Sequence, residues 1–280
     1  MVVILHFDAD YRSGLRQQQM TGINGHFVLF EKRLTASQCR SIGCPLSCGG
    51  AVIAMQHTPL SGAQNHADWH YVLQEFNQAY RYGSAGGSSE IRRHQRDIRQ
   101  RISRCVSANP SIIEQPPQTK PVCAHLGRAL DNGEQERTQS FIRALAKITD
   151  HLVWQYGYDK MPRSLEKKYA YAELVGPRGP IVCEDLILGL VLFAPKCSYP
   201  AHSHEDITES YLCLSGTISE NHAGVYPPGS MILNKAGREH AITTSDTEPV
   251  LLTYAWSGEP GALHGFEMKF SRGRVTTKER

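Results

Sequence analysis

Apolar residues recur at Trp69, Leu73, Phe76 and Tyr80, in steps of four, three and four, which predicts one buried face of a helix. The pattern stops at Gly83, where GSAGGSS reads as a turn. Ile91, Ile98, Ile102 and Cys105 form a second stripe, through SSEIRRHQRDIRQRISRCV. After the Pro-rich link NPSIIEQPPQTKP, a third helix is predicted from Phe141, Leu145, Ile148 and Leu152, ending near Gly157. The pattern changes at Lys167. KYAYAELVG, DLILGLVLFAP, TESYLCLSGTISE, SMILN and PVLLTYAW are short apolar or alternating runs, separated by Gly/Pro-rich turns such as GPRGP and VYPPG. Strands at that spacing, with no helical pattern between them, predict a sandwich or barrel. The chain therefore reads as α+β. Residues 1–65 show no sustained period, 66–165 form a helical region, 166–270 an all-β domain and 271–280 a polar tail.

Composition narrows the function classes. The 280 residues are 40% apolar and 20% charged, as in a globular chain. Lys plus Arg is 30 against 27 Asp plus Glu, a net charge of +3, which argues against a dedicated nucleic-acid partner. The six arginines of the second helix are read as a solvated face before a nucleic-acid contact. The helical region is expected to be a cover or a homodimer element. No apolar run approaches the ~20 residues of a membrane span, so no membrane partner is expected. The opening MVVILHF is a poor secretory signal, which favours a cytoplasmic protein. Cys39, Cys44 and Cys48 lack a second ligand pair for zinc and read as free thiols.

The chemistry concentrates in the β region. His202 and His204 are two apart and would share a strand face; so would Glu209 and Tyr211 on the next segment. His240 follows about thirty residues later, in a glycine-punctuated turn after Gly229 and Gly237. Imidazoles with one carboxylate suit zinc, iron, manganese or nickel and leave positions open for a substrate, so one divalent transition metal is expected. The competing reading is a set of structural histidines. His222 and His264 fall outside the pattern and are read as structural.

The arrangement resembles the cupin superfamily. His202, His204, Glu209 and Gly216 match its first motif; Gly229, Gly237 and His240 match its second, with Lys235 in place of a proline and Thr244 in place of an asparagine. That resemblance implies a single cupin β-barrel, a double-stranded β-helix or jelly roll, behind an N-terminal helical region. KYAYAELVGPRGP, EDLILGLVLFAP, YPAHSH, ESYLCLSG and LLTYAW further resemble the cupin dimethylsulfoniopropionate (DMSP) lyases, most like the L-type branch, over roughly residues 120 to 260. By that resemblance His204, Glu209 and His240 hold the metal with His202 nearby, and Tyr211 and Tyr199 are the catalytic tyrosines.

The implied reaction removes a proton beside the substrate carboxylate and expels dimethyl sulfide, leaving acrylate. Tyr211 is the implied base, because a cation beside Glu209 would favour its phenolate. Tyr254 and Trp256, and likewise Tyr169 and Tyr171, are two apart on strands and are candidates to face a sulfonium; aromatic core packing is the alternative for each. Another cupin activity, a small-molecule dioxygenase or sugar isomerase, and a non-enzymatic cupin sensor are the competing functions.

Overall fold

The computed structural model describes residues 4–10, 14–23, 26–33, 62–83, 88–113, 115–158 and 160–264. The chain divides into two compact units, Met1–Thr58 and Pro59–Arg280. In the first, β1 (Ile4–Asp10), β2 (Gly14–Ile23) and β3 (His26–Arg33) form an antiparallel meander, with Ile4 opposite Met20 and Ile23 opposite His26. The sequence reading places no element there: the polar run QQQ at 17–19 interrupts any alternation in β2. Cys39, Cys44 and Cys48 lie outside the described residues.

The second unit opens with α1 (Gly62–Tyr82) and α2 (Ser89–Ser107). Both follow their predicted stripes: Trp69, Leu73, Phe76, Tyr80, Ile98, Ile102 and Cys105 are all buried. The Ser88 side chain caps α2 by accepting from the Glu90 N–H. A helix α3 (Leu126–Gly133) then occupies a stretch that carries no long periodic run. The third predicted helix is shorter than its stripe implies. α4 (Gln139–Ala146) ends before a 3-10 turn at Thr149–His151, and the chain is extended at Leu152. Ile148 and Leu152 are buried nonetheless, so the apolar spacing reports packing rather than helix continuity.

The strands from 154 onward close the barrel. β4 (Trp154–Gln155), β5 (Tyr169–Val175), β6 (Leu186–Phe193), β8 (Ile207–Ser215), β11 (Met231–Asn234) and β13 (Val250–Gly258) form a six-stranded sheet in the order β11-β8-β13-β6-β5-β4. β7 (Ser198–His202), β9 (Ile218–Glu220), β10 (Val225–Tyr226) and β12 (His240–Thr244) form a four-stranded sheet, β10-β9-β12-β7. All pairings are antiparallel. This is the jelly roll of a cupin. α5 (Arg163–Glu166) leads into β5, and α6 (Pro260–His264) follows β13.

The six-stranded sheet is buried on both faces, which explains the unbroken apolar run of β6. Leu186, Leu188, Leu190 and Leu192 join the core beneath the helices, whereas Ile187, Val191 and Phe193 join the barrel lumen. The helical region is thus a cover on one face of the sheet. At Gly189 a Cβ would lie 2.4 Å from the Tyr254 ring, so the missing side chain is what admits that ring.

Candidate active site

Each metal-type residue is delivered by a different part of the barrel. His202 closes β7 and pairs in register with His240, the first residue of β12. Glu209 and Tyr211 lie two apart on β8 and face the lumen. His204 differs from expectation. It lies beyond the end of β7, so strand alternation does not orient it; instead the Gly237 N–H donates to its carbonyl at 2.7 Å. Gly237 has φ +73°, a conformation glycine tolerates at little cost. The two departures from the cupin motif leave these turns intact. Arg238 N–H closes the turn onto Lys235 at 3.0 Å, and Thr244 Oγ1 accepts from Cys197 N–H at 2.9 Å and donates to the Ala194 carbonyl at 3.0 Å.

His202, His204, Glu209 and His240 are all buried, and each offers a ligand atom within 4.8 Å of the others. Four atoms bound tetrahedrally to one ion at ~2.0–2.2 Å lie about 3.3–3.6 Å apart, so an adjustment of about 1 Å brings the set around one ion. Ring orientation points the same way. His202 Nδ1 lies 3.0 Å from the Pro200 carbonyl oxygen and His240 Nδ1 lies 3.2 Å from that of Arg238. A carbonyl only accepts, so each Nδ1 carries the hydrogen and each Nε2 lone pair is left facing inward. His202 Nε2, His204 Nε2, His240 Nε2 and Glu209 Oε2 are buried without a hydrogen bond of acceptable geometry.

Electrostatics completes the test of fit. Burial lowers His202 to about 4, with the neighbouring His240 adding to the effect, and burial also lowers His204, so both are neutral at pH 7. Burial would raise Glu209, but the close approach and charge of His240, with the charges of His204 and His202, hold it down at about 2, and the same carboxylate raises His240 against its own burial. His240 Nε2 approaches Glu209 Oε2 at 2.8 Å. A shared proton there would satisfy that pair and leave the Nε2 atoms of His202 and His204 unmet. One divalent cation satisfies all four, and the donor set fits it.

The predicted aromatic residues also converge. Tyr169, Tyr171, Tyr199, Tyr211, Tyr254 and Trp256 line one narrow cavity with Glu209 and Val191. Sheet register explains part of this: Tyr254 is directly opposite Tyr211, and Trp256 directly opposite Glu209. His222 and His264 are exposed and outside the cluster.

Two features escape sequence reasoning. Tyr158, before β5, brings its hydroxyl to 2.8 Å from that of Tyr199 and its ring to 6.1 Å; no periodic signal marks it. Trp256 Nε1–H donates to Glu209 Oε1 at 2.6 Å. The indole thus fixes which carboxylate oxygen remains free, and Trp256→Phe is expected to weaken metal affinity about 10–100-fold while preserving aromatic bulk, measured by competition with a chromophoric chelator. This extends the expectation for Trp256 beyond substrate packing.

Fold and pocket together define a cupin with a three-histidine, one-glutamate centre beside an aromatic cavity. The dimethylsulfoniopropionate lyase family model matches residues 93–252. A protein of Cereibacter sphaeroides that carries the name dimethylsulfoniopropionate lyase DddL, as a provisional assignment, is 53% identical over 213 residues, covering 76% of this chain and 92% of that protein. A solved structure described under the DMSP lyases RdDddP and RnDddQII aligns with TM-score 0.55 at 21% identity, over 74% of this chain and 99% of its own. The DMSP lyase DddQ of Ruegeria pomeroyi aligns with TM-score 0.52 at 19% identity, over 69% and 92%. The chain belongs to the dimethylsulfoniopropionate lyase family. Among the described residues no helix is long and apolar enough to cross a membrane.

Proposed function

We propose that this chain is a metal-dependent carbon–sulfur lyase that cleaves DMSP to dimethyl sulfide and acrylate, with Tyr211 as the base. The observation that carries this reading is the convergence of four unbonded ligand atoms beside a tyrosine-lined cavity. DMSP carries a carboxylate at one end and a dimethylsulfonium at the other, and its α-hydrogens are poorly acidic. A divalent transition cation (zinc, iron, manganese or nickel) held by His202, His204, Glu209 and His240 supplies Lewis acidity for the carboxylate end.

The remaining work belongs to side chains. Tyr211, ionised to its phenolate with the phenol proton released to solvent, takes the α-proton on Oη, the C–H electron pair becomes the new C=C bond, and the C–S pair leaves with sulfur as dimethyl sulfide. The leaving group departs neutral and needs no proton. Tyr199, hydrogen-bonded to Tyr158, presents a second hydroxyl to the same cavity. The rings of Tyr169, Tyr171, Tyr254 and Trp256 offer π-faces to the sulfonium and exclude water around it.

Purified protein given DMSP is expected to release dimethyl sulfide into the headspace. Chelation should abolish release and added divalent metal should restore it. Fully metal-loaded protein that releases none rules out the substrate; release that persists in metal-stripped protein rules out the metal.

A further inference from the structure

Ser210 stands between Glu209 and Tyr211 on β8, and strand alternation turns it to the opposite face, toward the helices. Leu212 and Leu214, its neighbours on that face, belong to the apolar core under α1 and α2. Ser210 is completely buried there, at 0% exposure, yet its hydroxyl has two partners. Tyr80 Oη, from α1, lies at 2.7 Å, and His94 Nε2, from α2, lies at 2.8 Å. Both partners are buried, with ring centroids 6.2 Å apart in an edge-to-face arrangement. Burial lowers His94 to about 4 and raises the Tyr80 phenol, so the three groups are neutral and joined by hydrogen bonds alone.

Apolar side chains at positions 80, 94 and 210 together would fill this core without polar groups to satisfy. A buried polar group that loses its partner is destabilising, so the trio stabilises the fold only while both bonds are made. What directional bonds add over apolar packing is position. Pairing with β11 and β13 sets the register of β8 along its length. Displacement of β8 out of the sheet is resisted by what lies above it, and here two helices grip one residue.

We propose that Tyr80, Ser210 and His94 form a positioning clamp that holds the two residues flanking Ser210, Glu209 and Tyr211, at their working height in the pocket. None of the three touches the cavity; each acts through the strand. The inference rests on the metal-and-tyrosine reading of the site and extends it to the helical cover, which thereby becomes part of the machinery.

The test compares Ser210→Ala, Ser210→Thr and Tyr80→Phe with the parent in the full chain. Three readouts are taken: kcat and KM for dimethyl sulfide release, the visible absorption bands of the Co²⁺-loaded protein, and the thermal midpoint. Ser210→Ala is expected to lower kcat about 10–100-fold with KM unchanged, and to shift the Co²⁺ bands, because small displacements of reacting groups are costly. Ser210→Thr, which keeps a hydroxyl, should recover most of the rate. Tyr80→Phe removes one bond with the ring in place, should fall between these, and decides the matter if Ser210→Ala does not fold. Parental kcat and parental Co²⁺ bands in folded Tyr80→Phe and Ser210→Ala would overturn the clamp, even if their thermal midpoints fall. If the parent itself releases no dimethyl sulfide, the lyase reading fails, while the Co²⁺ bands still decide the clamp.

Discussion

Tyr211→Phe is expected to lower kcat for dimethyl sulfide release by about 10²–10⁴-fold, the range for loss of a general base, with metal content at the parental level. The substitution isolates one atom. The ring stays packed among Tyr254, Tyr199 and the other lumen side chains, and its centroid lies 6.1 Å from that of His240. Only the hydroxyl disappears. Burial raises this phenol well above its ordinary value, and the Glu209 carboxylate raises it further by charge and hydrogen bonding. Among protein groups alone Tyr211 therefore stays protonated at neutral pH. Positive charge in the pocket acts in the opposite sense, and the substrate sulfonium is one such charge. Single-turnover release of dimethyl sulfide, with metal analysis on the same samples, reads both halves of the expectation. A rate near the parent's would remove Tyr211 from the role of base, and Tyr199→Phe would then examine the other hydroxyl in the cavity.

Legibility in the sequence followed the range of the interaction. His202, Glu209 and Tyr211 were readable because period-two spacing within a strand is local. His204 converges with them for a reason spacing does not contain: a backbone bond from Gly237, thirty-three residues later, holds its loop. The helices α1 and α2 were legible from stripes of apolar residues, but a stripe reports burial before it reports helix. Hence Ile148 and Leu152 extended the expected third helix past Ala146, where the helix ends and a 3-10 turn carries the same side chains into the core. Trp256 was foreseen as an aromatic wall. Its hydrogen bond to Glu209 depends on β13 lying beside β8 in one register, with Trp256 opposite Glu209, and no local pattern encodes that pairing. Tyr158 and the partners of Ser210 were hidden likewise, since each meets its neighbour across a distant contact.

Glu209→Gln is expected to empty the metal centre while leaving the barrel folded, so that metal per chain falls from about one toward zero and dimethyl sulfide release falls with it. The carboxylate has two distinct oxygens. Oε1 accepts from the Trp256 indole at 2.6 Å; Oε2 lies 2.8 Å from His240 Nε2 and 3.7 Å from His204 Nε2. Glutamine can keep the first interaction, because its amide oxygen accepts from the indole as before. Its NH₂ then replaces Oε2, turning a donor toward the imidazole lone pairs and removing the single negative charge of the ligand set. The amide can hydrogen-bond to an imidazole and so relieve the metal-free site, which is why the fold should survive, but it offers an ion neither charge nor a lone pair in that direction. Metal analysis after dialysis, with far-UV circular dichroism on the same samples, separates these effects. Glu209→Gln protein that retains one metal per chain would mean the ion sits elsewhere, and the four inward-facing atoms would need another explanation.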